Sequence, residues 1–279
     1  MKSASGSRCA FCGALMQKAF EYNSPPVGET RFSFSDSPDY HREFHRCPTC
    51  GHYRAVHELD LSALYEKDYV TSTYGADGIK RNFDRINALP PEKSDNVGRV
   101  RKVQEWAAGL IASATRSGCN PTVLDVGSGL CVFLHRMKEA GWDGTALEPD
   151  PRFAAHAKDV VGVKAVSADF MTATDLGQHD LITFNKVLEH VPDPVDMLRR
   201  STRHLGPGGA VYVEVPDGEM AAHEGSGREE FFIEHYHAFS YASLCLMAYA
   251  ANFTVYFAER LREPSTKFTL RGFLVPTRV

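Results

Sequence analysis

The sequence predicts an α/β fold of the doubly wound kind, with a small metal-binding module ahead of it. Three observations support this prediction. Five apolar strand signals alternate with helical segments over residues 122–216, one strand runs through a glycine turn directly into a helix, and two identical C-x-x-C-G loops lie near the N-terminus. Alternating strands and helices are typical of a parallel sheet with helices on both faces, which binds ligands at the carboxyl ends of its strands.

The first elements surround the glycine turn. Apolar residues at a helical period over 97–113 predict a helix, and the apolar run at 123–126 predicts a buried parallel strand that contains Asp125. Gly127 and Gly129 then allow a turn in conformations that are closed to residues with a Cβ. Backbone N–H groups at the start of the next helix can therefore face a ligand closely.

The glycine pattern argues against a dinucleotide site. That fingerprint is G-x-G-x-x-G, and counting from Gly127 places Val132 where the third glycine belongs. A glycine-rich turn that merely connects two elements of another α/β domain is the alternative interpretation of this segment alone.

Polar side chains follow the next strands in order. Glu148 ends the strand predicted at 144–147, where a carboxylate can accept both hydroxyls of a ribose. Asp169 and Phe170 follow a strand near 163–166, and Asn185 follows the fourth strand. Because the carboxyl ends of parallel strands meet at one edge of the sheet, we expect these residues to surround one crevice.

Two strings resemble motifs of class I S-adenosylmethionine-dependent methyltransferases. The D-x-G-x-G string from Asp125 to Gly129 resembles their first motif, with Cys131 where a further glycine is usual. Residues 185–194 resemble their fourth motif, x-V-L-E-H-V-x-D-P. The resemblance covers about 91–279. It implies a Rossmann-like methyltransferase sheet with an antiparallel last strand, and S-adenosylmethionine bound by Asp125, Gly127, Gly129, Glu148, Asp169, Phe170, Asn185, Lys186 and Tyr74.

The remaining elements fit the same order. A Pro-bounded helix over 195–204 is followed by a Gly-Pro-Gly-Gly break and a strand over 210–215. A helix around 241–251 and strands at 253–261 and 267–275 fit the antiparallel ending of that fold. Asn252 stands at a helix-to-strand corner, where asparagine is the next-best residue to glycine for a left-handed conformation.

Four of the seven cysteines form the two loops, Cys9-x-x-Cys12-Gly and Cys47-x-x-Cys50-Gly. Four thiolates suit a closed, structural Zn²⁺ site, with iron as an alternative metal and free thiols or disulfides as alternative states. His45 and His52 lie close by, so a site of three cysteines and one histidine stays open. We therefore expect a zinc-ribbon-like module over 1–60 and a linker or lid over 61–90, which contains Tyr74.

A zinc ribbon before such a domain resembles a group of bacterial methyltransferases that includes sugar C-methyltransferases. The string from Glu234 to Ser240 resembles their E-H-x-x-x-F-S pattern, in which the histidine is proposed as the base. The resemblance implies that His235 is a general base and that His190 is another active-site residue. Glu234 and His237 are further catalytic candidates. His237 lies two places from His235 and is able to exchange roles with it.

Composition narrows the function classes. The 279 residues carry a net charge of −4, which disfavours a general nucleic-acid binder. No apolar stretch is long enough to span a membrane, and the absence of an apolar N-terminal signal together with unpaired cysteines predicts a cytoplasmic protein. The sequence does not indicate an oligomeric state.

We thus expect transfer of a methyl group from S-adenosylmethionine to a small-molecule acceptor, such as a sugar nucleotide or a natural-product intermediate. The motifs do not distinguish carbon, oxygen and nitrogen acceptors. One alternative is an rRNA or tRNA base methyltransferase, since some of those enzymes also carry a zinc ribbon. Another is a non-catalytic zinc-ribbon interaction protein with a degenerate cofactor fold, to which Cys131 and Phe232 point as departures from the family patterns.

Overall fold

A computed structural model describes residues 7–32, 34–38, 40–59, 78–110 and 119–277. The strands are β1 (Gln17–Tyr22), β2 (Arg42–Arg46), β3 (Tyr53–His57), β4 (Thr122–Val126), β5 (Asp143–Glu148), β6 (Lys164–Ser167), β7 (His179–Asn185), β8 (Leu205–Pro216), β9 (His237–Ala238), β10 (Phe253–Arg262) and β11 (Phe268–Pro276). The α-helices of this part are α1 (Gly78–Asn87), α2 (Asp95–Leu110), α3 (Val132–Glu139), α4 (Pro151–His156), α5 (Pro194–Arg200), α6 (Gly218–Glu224) and α7 (Tyr241–Ala250). Tyr74 lies outside the described residues.

The large sheet has seven strands in the order β10-β11-β8-β7-β4-β5-β6. Strands β4 to β8 are parallel, and β11 runs antiparallel to both of its neighbours. This confirms the doubly wound fold with an antiparallel last strand. The strand order reverses at β4, which pairs with β5 on one side and β7 on the other, so the crevice for a ligand opens beside β4.

Helices cover both faces of this sheet because alternate strand residues point to opposite sides. Leu124 and Ile182 belong to the core cluster on one face, which includes α5 and α7. Their neighbours Val123 and Leu181 belong to the cluster on the other face, which includes α2 and α3. Residues on both faces are therefore buried, which explains the nearly continuous apolar runs of the central strands.

A second sheet joins the N-terminal segment to the later chain. Its four strands are antiparallel in the order β1-β2-β3-β9. Tyr53 pairs with Ala238 and Arg54 pairs with His237. The segment predicted as a module over 1–60 thus shares its sheet with residues next to His235.

Part of the predicted linker is helical. Residues 78–87 form α1, whose Phe83 ring contacts His135 of α3 and His156 of α4 at centroid distances of 5.2 and 5.0 Å. The linker's described end therefore packs against the helix that follows the glycine turn.

Two features of the later chain add detail to the predicted order. The segment after β5 is α4 followed by a π-helical turn over Ala157–Val161, and α6 stands between β8 and β9, where no helix was predicted. The corner at Asn252 has a φ of +65°, as expected for a left-handed residue. No helix in the described ranges is long and apolar enough to cross a membrane.

Candidate active site

The glycine turn lies at the carboxyl end of β4. The φ of Gly127 is +68°, and its N–H donates to the Leu147 carbonyl at 2.8 Å, which ties the turn to β5. A Cβ at Gly127 would lie 2.9 Å from Val187 Cγ2, closer than real Cβ contacts. Gly127 is therefore required both by its conformation and by the close approach of the loop after β7.

Cys131 occupies the last position of the turn with a φ of +60°, and its side chain is fully buried. This region is strained for residues other than glycine, asparagine and aspartate. The conformation explains why a glycine is usual at this position in the family that the sequence resembles. Cys131 keeps the same turn at the cost of local strain.

Asp125 connects the turn to the fourth strand. Its Oδ1 accepts hydrogen bonds from Thr183 Oγ1 at 2.6 Å and from Asn185 Nδ2 at 2.8 Å. Burial raises the pKa of Asp125 to about 6, although both hydrogen bonds lower it. Because its amide nitrogen faces Asp125, the Oδ1 of Asn185 points elsewhere, and it is buried without a hydrogen-bond partner among the described residues.

Glu148 ends β5 and turns back to the glycine turn. Its Oε2 accepts the N–H of Gly129 at 2.9 Å. Burial raises the pKa of this carboxyl to about 7, while the backbone N–H groups of Gly129 and Asp150 lower it. The fold thus brings together, at the carboxyl ends of β4 and β5, the residues Asp125, Gly127, Gly129 and Glu148.

Asp169 and Phe170 lie beyond β6. Asp169 is exposed, and its Oδ1 accepts the N–H of Met171 at 2.6 Å. The Phe170 ring is only 3% exposed and packs in the core against Phe184 and His204, at centroid distances of 5.7 and 5.9 Å. Phe170 therefore supports the Asp169 turn from the core, and its ring does not present an open face for the predicted contact with S-adenosylmethionine.

A cavity of about 240 Å³ lies beside this site, over the ends of β7 and β8. The loop after β7 contributes Lys186, Glu189 and His190 to its lining, and the segment before β9 contributes Glu234 and His235. Lys186 has a φ of +59°, and burial lowers the pKa of its ammonium group. Three of the predicted catalytic residues, His190, Glu234 and His235, therefore share one cavity with Lys186.

The two histidines contact each other. Their ring centroids are 4.8 Å apart with an interplanar angle of 64°. His190 Nδ1 lies 2.9 Å from the Glu234 carbonyl and His235 Nδ1 lies 3.0 Å from the Glu230 carbonyl. Because a carbonyl only accepts, both Nδ1 atoms carry the proton. Burial lowers the pKa of each ring to about 4, so both are neutral near pH 7.

Two carboxyl groups complete the polar lining. Burial raises the pKa of Glu189 to about 8 and also raises the pKa of Glu234. One oxygen of each, Oε2, is buried and has no hydrogen-bond partner within the described part of the chain. An acid that is protonated near neutral pH can donate a hydrogen bond as well as accept one.

His237 lies away from this cavity. Its Nδ1 is 3.0 Å from Nε2 of His52 and its Nε2 is 3.4 Å from the Pro192 carbonyl. It is absent from the cavity lining and is 2% exposed. The exchange of roles with His235 that the sequence leaves open is therefore not supported by the position of His237.

The four paired cysteines converge at the turn between β2 and β3. Their sulfur atoms all lie within 4.8 Å of one another, with Cys9 and Cys50 Sγ atoms at 3.6 Å and Cys12 and Cys47 Sγ atoms at 3.3 Å. Tetrahedral Zn–S bonds of about 2.3 Å place sulfurs roughly 3.8 Å apart, so this donor set fits the ion. His52 faces His237 and is not part of this group.

Residues 74–256 match a family model described as a methyltransferase domain. The chain belongs to this methyltransferase family. Its sequence is 31% identical over 140 residues to a ubiquinone biosynthesis O-methyltransferase of Pseudomonas paraeruginosa, covering 48% of this chain and 56% of that protein. It is also 31% identical over 139 residues to the Bordetella avium enzyme of that name, covering 47% and 54%. The chain spans about half the length of the curated relatives it matches.

Solved structures share the fold of this methyltransferase. Burkholderia thailandensis 1,6-didemethyltoxoflavin-N1-methyltransferase has a TM-score of 0.55 and 20% identity, with 90% of this chain and 100% of that chain covered. Magnesium protoporphyrin IX methyltransferase of Synechocystis has a TM-score of 0.56 and 15% identity, with 78% and 100% covered. These likenesses agree with the fold described above.

Some residues of the methyltransferase cavity were not predicted from sequence. Lys267 and Phe268 line it, together with Glu229 and Glu230. Lys267 immediately precedes β11, and the antiparallel pairing of β11 with β8 brings the start of β11 beside the end of β8. The predicted antiparallel ending of the fold was the only sequence signal for this placement.

Proposed function

We propose that this methyltransferase transfers the methyl group of S-adenosylmethionine to a small-molecule acceptor. The observation that carries the proposal is a juxtaposition at one edge of the sheet. The glycine turn and Glu148 lie beside β4 and β5, and a cavity lined by His190 and His235 lies over the ends of β7 and β8. Because β4 and β7 are neighbours, donor and acceptor would meet at the strand where the sheet order reverses.

The donor half fits S-adenosylmethionine. Glu148 would accept the ribose hydroxyls, and exposed Asp169 would meet the adenine amino group. Ser128 Oγ and Asn185 Oδ1 are buried without hydrogen-bond partners in the described residues, as in a site that receives a polar ligand. Both solved structures named above contain S-adenosylhomocysteine, the demethylated product of this donor, which supports the assignment.

The acceptor half fits a small polar molecule better than RNA. Four glutamates and two lysines line the cavity, and Lys267 is paired with Glu229 at 3.1 Å. A polyanion would meet mostly carboxyl groups, whereas hydroxyl or amine groups would find acceptors in Glu189 and Glu234. Our proposed class is therefore a natural-product intermediate, or a sugar nucleotide of which only the sugar enters the cavity. The O-methyltransferase relatives and the toxoflavin N1-methyltransferase support a small acceptor.

The chain's own residues align the acceptor and take its proton. Bound S-adenosylmethionine supplies an electrophilic methyl group whose leaving sulfur needs no protonation. His235 is neutral with Nδ1 protonated, which leaves Nε2 as the basic nitrogen for removing a proton from the acceptor. His190 packs against His235 and restricts its ring orientation. Glu234 positions His190 through its backbone carbonyl.

We also propose that Cys9, Cys12, Cys47 and Cys50 bind a structural Zn²⁺. The convergence of the four sulfur atoms supports this donor set. Four thiolates leave no open coordination position, so such an ion would contribute stability and not catalysis.

Calorimetric titration with S-adenosylmethionine tests the donor site. The wild type and His235→Ala should bind it with similar affinity, whereas Asp169→Ala should bind it more weakly. Methyl-tritiated donor and an ultrafiltered bacterial extract as acceptor pool then test turnover, which His235→Ala should slow. A wild type that binds no S-adenosylmethionine would contradict the proposal, and unchanged turnover in His235→Ala would remove that residue from the mechanism.

A further inference from the structure

The second cysteine loop is connected to the acceptor cavity by a short chain of buried contacts. The loop from Cys47 to Cys50 ends at His52, whose carbonyl accepts the N–H of Cys47 at 2.7 Å. The side chain of His52 is then hydrogen-bonded to His237, with His52 Nε2 and His237 Nδ1 3.0 Å apart. Both histidines are almost fully buried. The ring of Phe11, in the first loop, packs edge-to-face with the ring of His52 at a centroid distance of 4.5 Å. Both cysteine loops therefore touch His52.

The other end of this chain lies at the cavity. His237 follows residues 229–235, five of which line the cavity, and we call residues 229–237 the cavity segment. The second ring nitrogen of His237 is 3.4 Å from the carbonyl of Pro192, two residues after His190. One imidazole thus contacts the loop that carries His190 and belongs to the segment that carries His235.

The direction of these hydrogen bonds is fixed by the acceptors. The Pro192 carbonyl only accepts, so His237 Nε2 must donate the proton. Two ring nitrogens that face each other share one hydrogen, so His237 Nδ1 accepts and His52 Nε2 donates. His52 Nδ1 then carries a lone pair, which agrees with the absence of any hydrogen-bond partner for that atom among the described residues. A single arrangement of hydrogens satisfies the chain.

Backbone contacts run parallel to the histidine pair. Ala55 of β3 donates its N–H to the Tyr236 carbonyl at 3.0 Å, and the N–H of Tyr236 donates to the Glu189 carbonyl at 2.8 Å. The hydroxyl of Ser240 donates to the Cys50 carbonyl. The cysteine loop and the strand that leaves it are therefore hydrogen-bonded to the chain on both sides of His237, at Tyr236 and at Ser240.

We propose that His52 is a positioning residue that fixes the cavity segment through His237, so that metal bound by the four cysteines orders the acceptor side of the site. Metal binding by Cys47 and Cys50 would fix the loop that ends at His52. The inference rests on the proposed function in assigning the cavity to the acceptor and in placing a metal ion on the four cysteines. It assigns no catalytic step to His52 or His237.

Hydrogen exchange of the full chain, loaded with Zn²⁺ and S-adenosylhomocysteine, tests the coupling. In His52→Phe the cavity segment should exchange about tenfold faster, the order expected for losing one buried hydrogen bond. His52→Gln should restore slow exchange, because its amide N–H can replace the Nε2–H. His41→Phe, an exposed change next to β2, is the matched control and should behave as wild type.

Metal removal supplies the second arm. Chelation should speed exchange of the cavity segment in the wild type to the level of His52→Phe, and it should add little in His52→Phe. Wild-type exchange in His52→Phe, or an equal effect of chelation on both proteins, would overturn the proposal.

A variant at His237 tests whether the effect of His52→Phe arises from damage to the nearby cysteine loop. His237→Phe should speed exchange equally while the zinc content, measured by elemental analysis, stays unchanged. Slow exchange in this variant would also overturn the proposal. Calorimetry with S-adenosylhomocysteine on the same proteins separates the two proposals, because failure of the wild type to bind it contradicts the proposed function and leaves the exchange result readable.

Discussion

The carboxylate of Glu148 accepts the backbone N–H of Gly129 at 2.9 Å, so the acid that ends β5 is joined to the glycine turn that follows β4. The two residues are 19 positions apart in the sequence and occupy neighbouring strand ends because β4 and β5 are parallel. Burial raises the pKa of Glu148 to about 7, which makes its protonation state sensitive to small changes near neutral pH.

S-adenosylhomocysteine should therefore bind more tightly at pH 8 than at pH 6. Only the ionised carboxylate accepts two ribose hydroxyls, and below about pH 7 a proton competes with the ligand. Glu148→Gln should bind roughly 10- to 100-fold more weakly at pH 8, the range for a lost charge-assisted hydrogen bond. Calorimetry at the two pH values checks this. The same pH dependence in wild type and Glu148→Gln would exclude Glu148 as its source.

Gly127→Ala should destabilise the protein more than Gly129→Ala. Both residues have positive φ, a strain of about 1–2 kcal/mol for alanine. A Cβ at Gly127 also meets Val187 at 2.9 Å, whereas a Cβ at Gly129 meets no atom within 4 Å, so overpacking should add about 1–3 kcal/mol at Gly127 alone. Urea unfolding measures the difference. Adding Val187→Ala to Gly127→Ala should remove the overpacking part, and no recovery would contradict this explanation.

The features predicted well from sequence depend on local patterns. The strands around Asp125 and Glu148 were recognisable because both faces of the sheet are covered, which gives apolar runs that end in a polar residue. The left-handed corner at Asn252 follows from the chemistry of one residue. Such signals place residues at the carboxyl ends of the strands without knowledge of distant contacts.

The features that sequence reasoning missed depend on distant pairing. Strand β9 has two residues, too few for a periodic signal, and its partner β3 lies more than 180 positions upstream. This pairing moves His237 away from the cavity. Lys267 reaches the cavity only through the antiparallel register of β11. Phe170 is drawn into the core by Phe184 and His204, which a local motif does not reveal.

Removal of one loop cysteine should abolish metal binding. The wild type should contain about one zinc per chain, and Cys47→Ser should contain almost none. The variant should also melt at a lower temperature, because the free energy of metal binding at such sites contributes directly to the free energy of folding. Cys119→Ser is the matched control, since Cys119 is exposed and outside the cluster. Elemental analysis and thermal unfolding check both proteins. Equal zinc content in Cys47→Ser and wild type would contradict the four-cysteine site.

The buried pair His190 and His235 should make the stability of the protein depend on pH. Burial lowers the pKa of His190 and His235 from 6.5 to about 4, so between these values the unfolded chain binds more protons. Their contribution to the free energy of unfolding is therefore complete above pH 6.5 and falls as the pH drops toward 4. His235→Gln should reduce the loss between pH 7 and pH 5 by about 1–2 kcal/mol. Urea unfolding at both pH values measures this, and an unchanged difference would contradict the neutral buried ring.

Arg99→Met should be among the most destabilising single changes outside the site. Arg99 on α2 donates from Nε and Nη2 to one oxygen of Glu214 at 2.7 and 2.5 Å, and Tyr212 donates to the other at 2.5 Å. Although burial raises the pKa of Glu214, Arg99 lowers it to about 2, so the carboxylate stays charged. Removing the arginine leaves a buried charge unpaired, which costs about 3–5 kcal/mol.

The matched double variant separates this charge effect from lost packing. Arg99→Met with Glu214→Met removes both charges and should recover much of the lost stability, since well-packed apolar residues often replace a buried ion pair at little cost. The same α2 carries Asn96, whose amide donates to the Val132 carbonyl at 2.9 Å at the start of α3. Arg99→Met should therefore also weaken S-adenosylhomocysteine binding, which calorimetry measures. A double variant as unstable as Arg99→Met would mean that packing of the arginine stem, and not its charge, holds α2 on the sheet.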